Sequence, residues 1–183
     1  MNPTNRQLIA GYKKWVMEHE AKGSQGYLLT FMFNDIPGSE AHVLHVMRNE
    51  VERVYSTMAT WMVHNPRSPA QAKKLPLLIA MPDWPKAKYV RMSKRLIMPN
   101  DGAHMHGMLM VHPTCRLKQN FEAHINSRLD LYLRPPLAII DVEPITHDIE
   151  TVFDYISASF AKGRESSEDL IILPRVVSEL SSK

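Results

Sequence analysis

Four apolar runs of strand length, set between stretches with helical spacing, leave this chain few architectures. The runs are Tyr27–Phe33 (YLLTFMF), Leu75–Met81 (LPLLIAM), Ala103–Val111 (AHMHGMLMV) and Leu137–Glu143 (LAIIDVE). Each is short and apolar, and turn chemistry such as NDIPGS closes the first, so each reads as a strand. Ahead of them, Leu8, Ile9, Tyr12, Trp15 and Val16 recur with helical period, and Gly23 is a plausible stop. Leu44, Met47, Val51, Val54, Met58 and Met62 mark one face of a helix between Ala41 and His64, ended by NPRSP. Leu117, Phe121, Ile125 and Leu129 predict a second long helix. Thr146 is expected to start a third, with Asp148 and Glu150 in its first turn, where carboxylates favour the positive end of the helix. The order is helix, then strand–helix–strand–strand–helix–strand–helix. Mixed in this way, strands and helices imply an α+β sandwich, one antiparallel sheet with helices packed on it. The tail, Ser166–Lys183, holds a short apolar run in a polar setting, suited to a strap or an edge strand.

Composition excludes several classes. Cys115 is the only cysteine, so an internal disulfide and a cysteine-rich zinc module are both ruled out, and a reducing compartment is expected. No apolar stretch approaches the ~20 residues of a membrane span. The start, MNPTNRQLIAGYKKW, lacks the basic-then-apolar layout of a signal peptide, so a cytoplasmic protein with no membrane partner is expected. The formal net charge of +3 is modest, but its distribution is not. Lys86, Lys88, Arg91, Lys94 and Arg95 lie between Trp84 and Asn100 with no acidic residue among them. Basic and aromatic residues interleave there, a composition suited to tracking phosphates. The plain alternative is a solvated basic hairpin.

His104 and His106 stand one residue apart at the start of an apolar run that could have been wholly greasy. On a strand, residues two apart face the same way with Cα atoms ~6.6 Å apart, so both imidazoles can reach one metal ion. His112 shares their parity but lies roughly 20 Å further along and cannot join them. Gly107 fits close approach of a ligand or of another backbone. Two imidazoles want a third ligand, usually an oxygen. Antiparallel pairing puts the end of one strand beside the start of the next, which favours Asp83, with Asp101 in the adjoining turn as its rival. The alternative is two partly exposed polar residues at a strand end.

In the last helix, Ile149, Val152, Phe153, Ile156 and Phe160 form one stripe at ~100° per residue. Tyr155 and Lys162 fall within ~20° of each other and roughly 120° from that stripe, with Ser159 between them. An amphipathic helix with a boundary tyrosine and a solvated lysine has the same pattern.

Taken in order, these segments resemble the HUH endonucleases, the superfamily of rolling-circle replication initiators, relaxases and single-tyrosine transposases. YLLTFMFN looks like the family's first motif, HMHG like its second, and VFDYISASFAKG like its third, closest to the replication initiators of phages and plasmids. The resemblance spans Tyr27 to Gly163 and divides the chain into an N-terminal helical extension (1–24), an HUH endonuclease-like domain (25–165) and a C-terminal tail (166–183). It implies a ferredoxin-like (RRM-like) antiparallel sheet flanked by helices. It also implies nicking and joining of single-stranded DNA, including hairpin origins, with Mg²⁺ or Mn²⁺ held by His104, His106 and Asp83. Tyr155 would be the nucleophile that forms a 5′-phosphotyrosine, Lys162 would neutralise phosphate or hold the tyrosine, and the basic segment would grip DNA. One departure stands out. Initiators often carry a lysine three or four residues after the tyrosine, where this chain has Ala158 and Ser159. No P-loop motif is present, so unwinding would need a host helicase.

Three other readings compete. A transposase or a mobilisation relaxase would use the same residues. A non-catalytic nucleic-acid-binding domain would display stacking aromatics on its strands, which AHMHGMLMV lacks. A plain structural domain would use none of these residues for chemistry.

Overall fold

The computed structural model describes residues 4–83, 104–162 and 168–175. The basic segment Lys86–Arg95 and Asp101 lie outside the described residues.

The first helix, α1 (Asn5–Ala21), opens with a capping box in which Thr4 and Gln7 satisfy each other's backbone N–H. It ends at Lys22, and Gly23 follows with φ of 85°, a conformation glycine adopts without strain. Next come β1 (Gln25–Phe33), α2 (Glu40–Met62), a short 3-10 helix (Pro69–Lys74), β2 (Leu77–Asp83) and β3 (His104–Val111). The run then continues with α3 (Phe121–Asn126), α4 (Leu129–Tyr132), β4 (Leu137–Pro144), α5 (Ile149–Ala161) and β5 (Ile171–Leu173). The strands form one five-stranded antiparallel sheet in the order β4-β1-β3-β2-β5. This is the expected α+β layout, with helices on a single antiparallel sheet.

Strand alternation splits the apolar residues between two faces. Tyr27, Leu29, Phe31 and Phe33 of β1 point to one face with Leu78, Ala80, Met105 and Leu109, and meet Met47, Val51, Val54 and Met58 of α2. Ile79, Met81, Met108 and Met110 point to the other, where Ile9 and Val16 of α1 and Phe153, Ile156 and Phe160 of α5 cover them. Each such side chain, fully buried, contributes about 1.5–3 kcal/mol. The α5 stripe expected from sequence is the buried stripe observed.

Three local expectations need correcting. The second long helix is broken: Asn120 caps α3 by accepting the Ala123 N–H at 2.7 Å, and Arg128 leaves helical geometry (φ −141°) before α4. Leu117 and Leu129 keep the apolar spacing without belonging to α3. The third predicted helix starts at Ile149, not Thr146, because the Asp148 carboxylate accepts the Thr151 N–H at 3.3 Å and caps it. Gly107 serves packing: a Cβ there would lie 3.1 Å from Leu78 Cδ1 and 3.3 Å from Ala80 Cβ, on the face opposite the histidines. The tail supplies an edge strand, since β5 pairs with Leu78–Ala80 of β2. That leaves the Asp83 end of β2 with no outer neighbour among the described residues. No helix of the described residues is long and apolar enough to cross a membrane.

Candidate metal centre and active site

The register of β2 against β3 sets Asp83 directly across from His104 and Met81 across from His106. On the other side of β3, Thr30 of β1 lies across from His106. Asp83, His104, His106 and Thr30 therefore share one face at one end of the sheet. The two imidazoles meet edge to face, with their Nε2 atoms 3.0 Å apart. Asp83 Oδ2 lies 3.7 Å from His104 Nε2 and 4.0 Å from His106 Nε2. Of the two carboxylates considered for a third ligand, Asp83 is the one whose position is described, and it is in reach.

Neighbouring hydrogen bonds aim this group. His106 Nδ1 is 3.1 Å from the Thr30 hydroxyl, which leaves Nε2 as the nitrogen turned to the shared space. Ser159 Oγ donates to Asp83 Oδ1 at 3.1 Å, which leaves Oδ2 facing the imidazoles. Burial, and next the neighbouring His104, push the His106 pKa down to about 4 against an opposing pull from Asp83. His106 is thus neutral near pH 7, the form that ligates a metal.

The donor set fits one divalent ion. Its ligand atoms all lie within 4.8 Å of one another. The 3.0 Å Nε2–Nε2 separation is what two adjacent ligands of an octahedral ion would have at about 2.1 Å each. Two imidazoles and one carboxylate suit a transition-metal-like divalent cation and leave positions open to substrate.

Tyr155 comes to the same place from α5. The helix buries Phe153, Ile156 and Phe160, while Tyr155 stands on its flank, 57 % exposed. Its hydroxyl is 3.5 Å from His106 Nε2, at the outer limit of a hydrogen bond, with the rings 5.3 Å apart. A phenol so placed is open to solvent on one side and to the Asp–His–His group on the other. No family model, curated protein or solved structure matches this chain. The chemistry of the site rests on its own geometry.

Lys162 is less closely tied. It caps α5, about 10 Å further along the axis than Tyr155, and its exposed ammonium makes no ion pair or hydrogen bond among the described residues. The side chain that reaches the site from this flank is Ser159, one turn after Tyr155. Sequence reasoning passed over Thr30 and placed Ser159 on the flank without giving it a role. Each left a signal: Thr30 interrupts an apolar strand, and Ser159 shares the flank of Tyr155.

Proposed function

We propose that this chain is a metal-dependent endonuclease of the HUH type. It nicks and joins single-stranded DNA through a 5′-phosphotyrosine and initiates rolling-circle replication. The observation that carries this reading is Tyr155, an exposed phenol 3.5 Å from a histidine of the Asp83–His104–His106 group. The fold supports it. The run β1–α2–β2–β3–α3/α4–β4, with order β4-β1-β3-β2, is compatible with the βαββαβ order of a ferredoxin-like (RRM-like) domain carrying α1, α5 and β5 as additions.

A divalent cation, Mg²⁺ or Mn²⁺, held by Asp83, His104 and His106 would polarise the scissile phosphate and offset the charge that builds on it. The chain supplies the rest. Thr30 holds His106 and Ser159 holds Asp83 in the orientation the reaction needs. Tyr155 Oη attacks phosphorus, its proton passes to solvent, and the bond to the 3′-oxygen breaks, that oxygen taking a proton from solvent to give a free 3′-hydroxyl. Rejoining is the reverse attack by a 3′-hydroxyl on the phosphotyrosine. Lys162 and the segment Lys86–Arg95 are the candidates for phosphate neutralisation. A transposase or relaxase would use the same steps. A purely binding module is disfavoured, because the aromatics of β1 (Tyr27, Phe31 and Phe33) are buried under α2 rather than displayed for stacking.

The test is incubation with labelled single-stranded oligonucleotides and Mn²⁺, followed by denaturing gels and mass spectrometry. The expected result is a covalent adduct on Tyr155 that is lost in Tyr155→Phe and in His104→Ala/His106→Ala. An adduct on Tyr89, or full activity in Tyr155→Phe, would overturn the assignment of the nucleophile.

A further inference from the structure

The histidine face of the sheet has a second end. His112 follows β3 eight residues beyond His104, roughly 26 Å away at the strand rise. There the C-terminal half of α1 and the 3-10 helix border a cavity of about 540 Å³. Its lining includes Trp15, His19, Lys22, Ser24, Lys73 and His112, and no acidic side chain among the described residues. Leu75 and Leu77 give it an apolar wall.

Separate observations indicate what this cavity would accept. Positive groups converge on it. Burial holds the His19 pKa below its usual value, and Lys22 and then His112 press it further down, with Glu18 alone opposing. His112 Nδ1 accepts the Thr114 N–H at 3.2 Å, which leaves Nε2 to carry the ring proton as a donor. Trp15 is 37 % exposed, and the His19 ring meets it edge-on at 6.0 Å. A large aromatic left open beside lysines and donors offers a stacking surface next to a phosphate seat.

We infer that this cavity binds a nucleotide, its phosphate taken by Lys22, Lys73 and His112 and its base laid against Trp15. The ligand is either a free nucleotide or one unit of a single strand. The volume suits a molecule of that size. The site is separate from Tyr155 and does not depend on the nuclease reading.

Calorimetric titration in EDTA tests the inference without the metal centre, using adenosine 5′-monophosphate, octadeoxyadenylate and inorganic phosphate as probes. The monophosphate is expected to bind, and the exposed double variant Lys22→Ala/Lys73→Ala to weaken it about tenfold or more at an unchanged unfolding midpoint. Octadeoxyadenylate binding more tightly than the monophosphate, with the same sensitivity to Lys22 and Lys73, assigns the site to a strand. Equal affinities assign it to a free nucleotide. Phosphate binding as tightly as the monophosphate would overturn the inference, as would no binding of nucleotide or oligonucleotide, or affinities that the double variant leaves unchanged. Absence of a Mn²⁺-dependent adduct would end the nuclease reading and leave these titrations untouched.

Discussion

His124 with Tyr132 and His106 with Tyr155 are the same pair of side chains in two settings. In the first, α3 and α4 bury both partners, at 3 % and 0 % exposure, and close them into a hydrogen bond of 2.8 Å. Burial raises the Tyr132 phenol to about 12 and holds the His124 pKa below its usual value, so both stay neutral and satisfy each other. In the second, the separation is 3.5 Å, Tyr155 is mostly exposed, and His106 spends its other nitrogen on Thr30. Residue type therefore does not separate a closed pair from an open one. What separates them is whether a third group can enter.

The largest effect expected is on the open pair. Tyr155→Phe removes the proposed nucleophile and should cut adduct formation by ~10³-fold or more, while stability moves by no more than ~0.5 kcal/mol. Tyr132→Phe should do the opposite. It strips the partner from a buried imidazole and should cost about 1–3 kcal/mol in denaturant unfolding, with adduct formation retained. The comparison breaks if Tyr132→Phe abolishes the adduct at full stability, or if Tyr155→Phe unfolds the protein.

The two pairs were not equally legible in the sequence. His104 and His106 announce themselves because a period of two puts both on one face, and antiparallel pairing then favours Asp83 over its rival Asp101, a choice that the register supports by setting Asp83 across from His104. Tyr155 stands out because it leaves the apolar stripe of α5. His124 and Tyr132 gave no such signal, since the chain between them breaks at Ser127 and Arg128 and a continuous helix was expected there. Helical spacing survives such a break when each fragment still buries its own apolar side, so periodicity could not reveal it. The supporting bonds of the site were hidden for a related reason. Thr30–His106 and Ser159–Asp83 each join residues 76 apart in sequence, and only the folded sheet and the seat of α5 bring them together.

Ser159 gives the next effect in size. Its hydroxyl ties the helix of Tyr155 to Asp83, so Ser159→Ala should free the carboxylate to rotate and weaken Mn²⁺ binding about tenfold, in line with other residues that orient metal ligands. Ser159→Thr keeps the hydroxyl and should stay close to the parent. In an Asp83→Ala background the same change should have no further effect on Mn²⁺ affinity, because the bond it removes is already gone. Additive losses in that cycle would mean that Ser159 acts on the site by another route.

The smallest effect concerns the closed pair and acidity. The His124 pKa is depressed in the folded protein, by burial first and by Arg128 second, so the unfolded chain binds a proton more readily than the native one. The sign follows: this residue's contribution to stability is present above its unfolded pKa near 6.5 and is lost as pH falls below it. Unfolding free energy should therefore decline on acidification from about pH 7.5 to pH 5.5. His106, pushed down to about 4, adds to the same decline. His124→Gln offers the Tyr132 hydroxyl an amide partner without a titrating group, so its stability should fall less steeply over that interval. The difference in slope between parent and variant isolates His124, because His106 is present in both. Identical slopes would mean that His124 is not held neutral by its surroundings, and the contrast between the closed and the open pair would then rest on exposure alone.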